Sequence, residues 1–498
     1  MCGKRLDKSS LAAALSVLGR RDGSVGYRML RSETKVQQYP EFGDAMTLRD
    51  LLLGCVLTSA VLSVSHAAED GTFAAQSNLK AGVAKVDITP DVTAGLPIVG
   101  HRRTVFEIRD PLRAGVLVLD DGDTKVAIVT LDTIGAWDEM VQLARERIEK
   151  LTSIPAANIM VTASHNHSGP GFDAESAWGR SLIEKLGTAA KNAAATMRPV
   201  TVGYGEDRIG FGINRRKVID GRAVVRLNPE GLNDQRVKVL RFDDGTSLTP
   251  LAVVMHAVCH PCFFTWGDKG SQPYPNGYPK LSADFPGEAQ SFVEMCYGGK
   301  TSAMFLQGCA GDIRPNLPGY PYRCADEADI QWAGRDLGSA VVRSLAREVT
   351  RERLVERGSY YAIRVASTKV SLPGKTGRID AELQAMKIGP YLLLTMPGEP
   401  MVEYGFKLEN AIEDRAIPII VGYANGNIGY IATEDAYEVG GYEPNTSKLL
   451  PEAETIILDE LSRLADRVIG DVFESFSKHP KDVKRREALE KKQAAGTR

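Results

Sequence analysis

Three short segments hold the residues of this chain best suited to chemistry: Ser164-His165-Asn166-His167-Ser168-Gly169-Pro170, Cys259-His260-Pro261 and Pro397-Gly398-Glu399. They offer imidazoles from two separated places and one carboxylate, a donor set that suits a hydrolytic zinc ion. Of seven histidines, His66 lies in a leader and His479 in a charged tail. The body keeps His101, His165, His167, His256 and His260, and four of these five fall in or beside two of the segments. Zinc in such a place supplies a hydroxide nucleophile at neutral pH and polarises a carbonyl. In extended backbone His167 faces the same side as His165, where an imidazole near its own pKa moves protons. Each residue also has a plainer reading. His165 and His167 fit a polar turn, and His260 fits a strand-end histidine bonded to a carbonyl, a role that His256 fits better. Glu399 fits a charge near the start of a helix opening at Pro400.

The elements that must position these residues are legible as apolar periodicities. Val126 to Leu131 reads as a buried strand; Trp137, Met140, Val141, Ala144, Ile148 and Leu151 recur at helical spacing; Ile159 to Ala163 is a second strand. This is a β-α-β unit with His165 and His167 just beyond the carboxyl end of its last strand, where ligands of open α/β sheets collect. Val237 to Phe242 and Leu251 to Cys259 flank a turn at Asp243-Asp244-Gly245 and read as a hairpin ending in His260. Ser302 to Gln307 is a short strand, and a helix follows over 329–348. Strands at 361–372 and 382–388, then Tyr391 to Met396 and Pro418 to Gly422, deliver Glu399 and the loop at 425–430. Parallel and antiparallel signals mix, so the fold class is α/β: layered mixed β-sheets flanked by helices, in a single large domain.

The ends read differently. Residues 1–67 read as a leader and signal peptide, with either Met46 as the start or an unusually long leader, and an apolar run of 14 residues, Leu51 to Val64, before Ser65-His66-Ala67. No segment reaches the roughly 18 to 20 apolar residues of a membrane helix. The mature chain is therefore expected to have no transmembrane segment and to be exported to the periplasm or the extracellular space. Residues 79–475 are the expected catalytic domain, and residues 476–498 a solvated charged tail. With 61 basic and 63 acidic residues the formal net charge is -2, which gives no electrostatic case for nucleic acid. Five cysteines remain beyond the leader; one bridge, Cys309 to Cys324, is the expected pairing, and Cys259-His260-Pro261-Cys262 follows an apolar strand instead of opening a redox helix. The Gly-, Pro- and Tyr-rich stretch 267–280 reads as a surface loop beside His260.

Seven motifs, taken in order, resemble the catalytic region of the neutral, non-lysosomal ceramidases: Val86-Asp87-Ile88-Thr89-Pro90, Ser164 to Gly171, Ile213-Asn214-Arg215, His260-Pro261, Gly311-Asp312-Ile313-Arg314-Pro315-Asn316, Pro397-Gly398-Glu399 and Gly429-Tyr430-Ile431-Ala432-Thr433. The similarity covers most of residues 79–470. It implies one zinc ion held by His165, His260, Glu399 and Tyr430, with His167, Arg215 and Tyr442 lining the reaction centre. The family pattern has serine where this chain has Arg314, and an arginine there suits a carboxylate, phosphate or sulfate on the substrate. The resemblance implies a zinc-dependent amidohydrolase acting on a small-molecule or lipid-like N-acyl substrate, by cleavage of an amide or ester. The alternative is a non-catalytic extracytoplasmic protein that binds a glycan or peptide on the same fold. Neither reading fixes an oligomeric state.

Overall fold

Between Ala114 and Leu119 every residue is buried, and the side chains alternate between two separate cores: Val116 and Val118 face one, Leu117 and Leu119 the other. A strand without a solvent face belongs to a sheet covered on both sides. The structure, a computed structural model, describes residues 77–98, 104–247, 249–263, 280–317, 325–346 and 361–470, within a compact unit, Thr72–Arg498. The leader, His101, residues 267–279 of the expected loop, Cys324 and the charged tail lie outside the described residues.

The chain opens with β1 (Lys80–Asp87), β2 (Arg113–Asp120), β3 (Lys125–Leu131), helix α1 (Asp138–Thr152), β4 (Ile159–Ala163), α2 (Ala177–Ala195) and β5 (Arg198–Arg208). A hairpin of β6 (Gly212–Ile219) and β7 (Arg222–Asn228) leads to β8 (Arg236–Asp244), β9 (Pro250–Ala257), α3 (Asp284–Cys296), β10 (Ser302–Gln307), β11 (Ile313–Pro315) and α4 (Glu327–Ala346). Then come β12 (Ile363–Gly374), β13 (Gly377–Ile388), β14 (Tyr391–Thr395), β15 (Glu399–Pro400), α5 (Val402–Asn410), β16 (Ile417–Val421) and β17 (Tyr430–Ile431). Helices α6 (Glu434–Val439), α7 (Tyr442–Thr446) and α8 (Ala453–Ile469) complete the series.

Eight strands form one mixed sheet in the order β10-β9-β8-β5-β1-β2-β3-β4, and a second runs β12-β13-β14-β16. The sheets pack face to face through Leu117, Ile128, Val254 and Met304 on one side and Ile388, Leu393 and Ile419 on the other. Helices α1 and α2 cover half of the outer face of the large sheet with Met140, Ile148, Leu182 and Leu186. Helices α3 and α4 cover the other half with Phe285, Val293, Ile330 and Leu337. On the small sheet, Leu392 and Leu394 meet Leu408 of α5 and Leu461 and Leu464 of α8. The result is four layers, helix, sheet, sheet and helix, the layered α/β class that the mixed strand signals predict.

The β-α-β unit is present, with β3 and β4 parallel, and so is the hairpin of β8 and β9. Three local expectations need correction. The strand leading to His260 stops at Ala257, and the backbone beyond β4 is not extended, because His165 adopts φ 66°. Cys309 carries a free, buried thiol instead of a bridge.

His256 lies on β9 with its Nε2 2.9 Å from the carbonyl of Ile420, which can only accept, so Nε2 carries a proton. Burial, and next the charge of Lys238, push its pKa down to about 4. Between pH 4 and the ordinary value of 6.5 the unfolded chain then binds the extra proton, so stability falls as pH drops through that window. His256→Gln should flatten this stretch of the curve of unfolding free energy against pH by about 3 kcal/mol, read by urea titration at each pH. A variant curve parallel to that of the parent would refute it.

Candidate metal centre

The histidine and glutamate segments leave the two sheets at neighbouring strand ends. Beyond β4, Ser164 N donates to Leu131 O and Asn166 N to Thr133 O, so the segment runs alongside the extension of β3. The left-handed turn at His165 swings its ring inward, and its Nδ1 lies 2.7 Å from Ile134 O. Beyond β9, both the backbone N and the Nδ1 of His260 lie within hydrogen-bond reach of Ile313 O, at 3.1 and 3.0 Å. His167 N donates to Pro261 O, joining the two loops, and the Gln307 amide donates to Ser164 O and Cys259 O. Since carbonyls only accept, both Nδ1 atoms carry protons, so in the neutral rings both Nε2 atoms present lone pairs.

Glu399 arrives from the other sheet. The bridge of β15 and β17 places it beside Tyr430. Gly398 makes this approach feasible: its φ is 152°, and a Cβ there would lie 2.4 Å from Gly429 O. The carboxylate Oε2 stands 3.2 Å from His165 Nε2 and 3.4 Å from His260 Nε2. His167 Nε2 is 3.0 Å from His165 Nε2, and the candidate ligand nitrogens of the three histidines all lie within 4.8 Å of one another. Among the described residues neither His260 Nε2 nor Glu399 Oε2, both buried, has a hydrogen-bond partner. Burial, and then the charge of Arg215, push the His260 pKa down to about 4, although the Glu399 carboxylate opposes this. Burial raises that of Glu399, whereas the charge and the hydrogen bonds of the two imidazoles in their protonated form outweigh it and take the carboxyl well below its usual range. Converging, unprotonated, buried donors of this kind fit a divalent cation.

A second group packs around Arg215 on β6. Its Nη2 donates to Tyr430 Oη at 3.1 Å and to Gly311 O at 2.7 Å, and its Nε donates to Glu443 Oε1 at 2.8 Å. Its guanidinium lies 5.4 Å from the ring centre of Tyr442, whose side is open: Tyr442 is 48% exposed. Glu443 is fully buried and also accepts from Arg216 Nη1 at 2.5 Å. Asp312 fixes the strand beneath, its carbonyl accepting from Arg215 N and its carboxylate from Asn214 Nδ2 and Val402 N. Burial, followed by Glu403, pushes the Asp312 carboxyl up to about 8.

The structure thus brings His165, His167, His260 and Glu399 to one point, with Tyr430 and Arg215 adjoining and Tyr442 at the rim. Arg314 is placed otherwise. It has no solvent-accessible surface, and its charge acts on the buried thiols of Cys259 and Cys262. Sequence reading missed Tyr423, whose ring lies 4.3 Å from that of His165, and Glu443. The pair Arg215-Arg216 was the available signal for Glu443, since two adjacent buried guanidinium groups need an acid.

No family model matches the sequence, and no curated protein matches it. Among solved structures, neutral ceramidase from Pseudomonas aeruginosa superposes with a TM-score of 0.63 at 17% identity, over 78% of this chain and 75% of that one. A ceramidase complexed with C2 gives a TM-score of 0.64 at 17% identity, over 78% and 74%. At this identity the likeness establishes the fold, the ceramidase architecture.

Glu443→Gln should leave two buried guanidinium groups short of one negative charge, and so cost about 3 kcal/mol or more of unfolding free energy. Equal urea midpoints for variant and parent would show that Glu443 does not hold this corner together.

Proposed function

We propose that this chain is a zinc-dependent hydrolase that cleaves an amide or ester bond of an N-acyl substrate, small or lipid-like. The observation that carries the reading is the meeting of the buried Nε2 atoms of His165 and His260 with one carboxylate oxygen of Glu399, where His260 Nε2 and that oxygen have no hydrogen-bond partner among the described residues. His165, His260, Glu399 and Tyr430 would hold the ion. Bound zinc would supply the Lewis acidity that makes water nucleophilic near neutral pH and polarises the scissile carbonyl.

The chain's own residues supply the rest. The carbonyls of Ile134 and Ile313 fix the tautomers of His165 and His260, keeping each Nε2 aimed inward. His167 is half-buried, less enclosed than His165 or His260, and its Nε2 is positioned to carry a proton to the leaving nitrogen or oxygen. Arg215, locked by Glu443, keeps a positive charge beside Tyr430 and, with Tyr442, offers donors to the oxygen that gains charge as the carbonyl is attacked. Arg314, fully buried, is given no role in this reading. The reading includes export, with a leader ending at Ala67 and a catalytic domain over 79–475. Among the described residues no helix is long and apolar enough to cross a membrane.

Zinc content by elemental analysis and hydrolysis of a panel of N-acyl lipids, acyl amino sugars and simple esters test the assignment together. His165→Ala and His260→Ala should lose metal and turnover jointly, as should chelator treatment. His167→Ala should keep zinc while kcat falls by about 10²–10⁴. A His260→Ala protein with full zinc and full activity would sink the proposal. Zinc retained with no turnover on any substrate would favour the binding protein instead.

A further inference from the structure

The hairpin of β6 and β7 is fixed at its root and bare at its tip. At the root, Gly212 to Asn214 pair with β11. On one face Ala223 is buried against Gly441, where a Cβ would come within 3.0 Å of Ala223 Cβ and 2.9 Å of Arg216 Nη1. This close approach ties the hairpin to the residue beside Tyr442, at the rim of the candidate metal centre. From Lys217 to Arg222, by contrast, every residue is exposed.

What the tip exposes is unusual for a surface strand pair. Val218 is 53% exposed, Ile219 42%, Val224 37% and Val225 38%, four exposed aliphatics at one tip, Ile219 and Val224 on one face and Val218 and Val225 on the other, where single exposed side chains are the rule. Register places Lys217 across from Val224 and Ile219 across from Arg222. These four share one face, which Arg226 extends, so cations and aliphatics interleave there. Between residues 217 and 226 there are three exposed cations and one acid, Asp220, although the whole chain carries a formal charge of -2.

We propose that this hairpin docks the protein on an anionic phospholipid bilayer, its aliphatic side chains entering the headgroup boundary and Lys217, Arg222 and Arg226 contacting phosphate. Both halves of the surface have a use there: aliphatic area gains by leaving water, and each cation near an anionic leaflet adds attraction. A nucleic acid would use the cations alone, since this tip has no aromatic ring on which a base could stack. Docking would present the Tyr442 side of the centre to lipid. That consequence rests on the proposed hydrolase; the docking itself does not.

Co-sedimentation with vesicles tests it, using phosphatidylcholine alone and phosphatidylcholine mixed with phosphatidylglycerol. The full chain should bind the mixed vesicles at least about tenfold more tightly, and Ile219→Ser/Val224→Ser and Lys217→Glu/Arg222→Glu should each weaken that binding about tenfold. All four positions are exposed, so the fold should hold, checked by unchanged thermal midpoints. Chelator-treated protein should bind equally, whereas untreated, zinc-loaded protein that binds vesicles but hydrolyses no substrate would remove the hydrolase and leave the docking. Equal binding to both lipids, or no loss in either double variant, overturns the proposal. Binding lost only in the charge variant and displaced by duplex DNA marks a general polyanion surface, and overturns it too.

Discussion

The constraint on which the rest of the structure depends is the approach of Glu399 Oε2 to the Nε2 atoms of His165 and His260, 3.2 and 3.4 Å away. Both imidazoles already spend their protons on backbone carbonyls, so what faces the carboxylate is lone pairs. Lone pairs against a carboxylate, with water largely excluded, repel one another unless a proton or a cation joins them. The fold must therefore force the groups together, and it does so with backbone: Ile134 and Ile313 grip the rings, and the bridge of β15 and β17 grips the glutamate.

Forcing of this kind needs stiff supports on both sides, and the four-layer architecture provides them. His165 and His260 hang from the large sheet, Glu399 and Tyr430 from segments that follow β14 and β16 of the small one. The sheets cannot slide, because their shared core interdigitates Leu117, Ile128 and Val254 with Leu393 and Ile419. Hydrogen bonds cross between them near the site: Asn425 Oδ1 accepts from Val161 N while its Nδ2 donates to Gln384 and Thr395. Residues in left-handed backbone cluster at the junction, His165, Tyr423 and Asn425 with φ between 56° and 66°. Such conformations persist where surrounding contacts over-determine them.

Much of this was legible in the sequence because buried strands advertise themselves as apolar runs, and β3, β4, β8, β9, β10, β14 and β16 all do. Helix α2 was not read, since its buried face is built from alanine and glycine as much as leucine: Gly179, Gly187, Ala189, Ala190 and Ala193 give little periodic contrast. The backbone at His165 misled for a different reason. Alternation extends a strand rule past the strand's last residue, and nothing in Ser-His-Asn marks the left-handed turn. Pairwise chemistry across large sequence distances was the least legible. Glu443 lies 228 residues from Arg215, and Tyr430 entered the ligand set through family resemblance alone.

The two sides of the centre follow different physical logic. Its floor is dry: His260 and Glu443 have little or no solvent access, and the charge of Arg215 is matched by a carboxylate that also serves Arg216. In such surroundings a fixed charge acts over longer range than in water, which favours holding a cation and stabilising an oxyanion. The rim is open: Tyr442 is half-exposed and His167 is less enclosed than the other two histidines. Groups that must meet a substrate or exchange protons with solvent belong on such a rim, whereas groups that must keep one protonation state belong below. The division lets two histidines only two residues apart have unlike tasks: His165 is buried with its Nδ1 proton committed to Ile134, while His167 is half-buried.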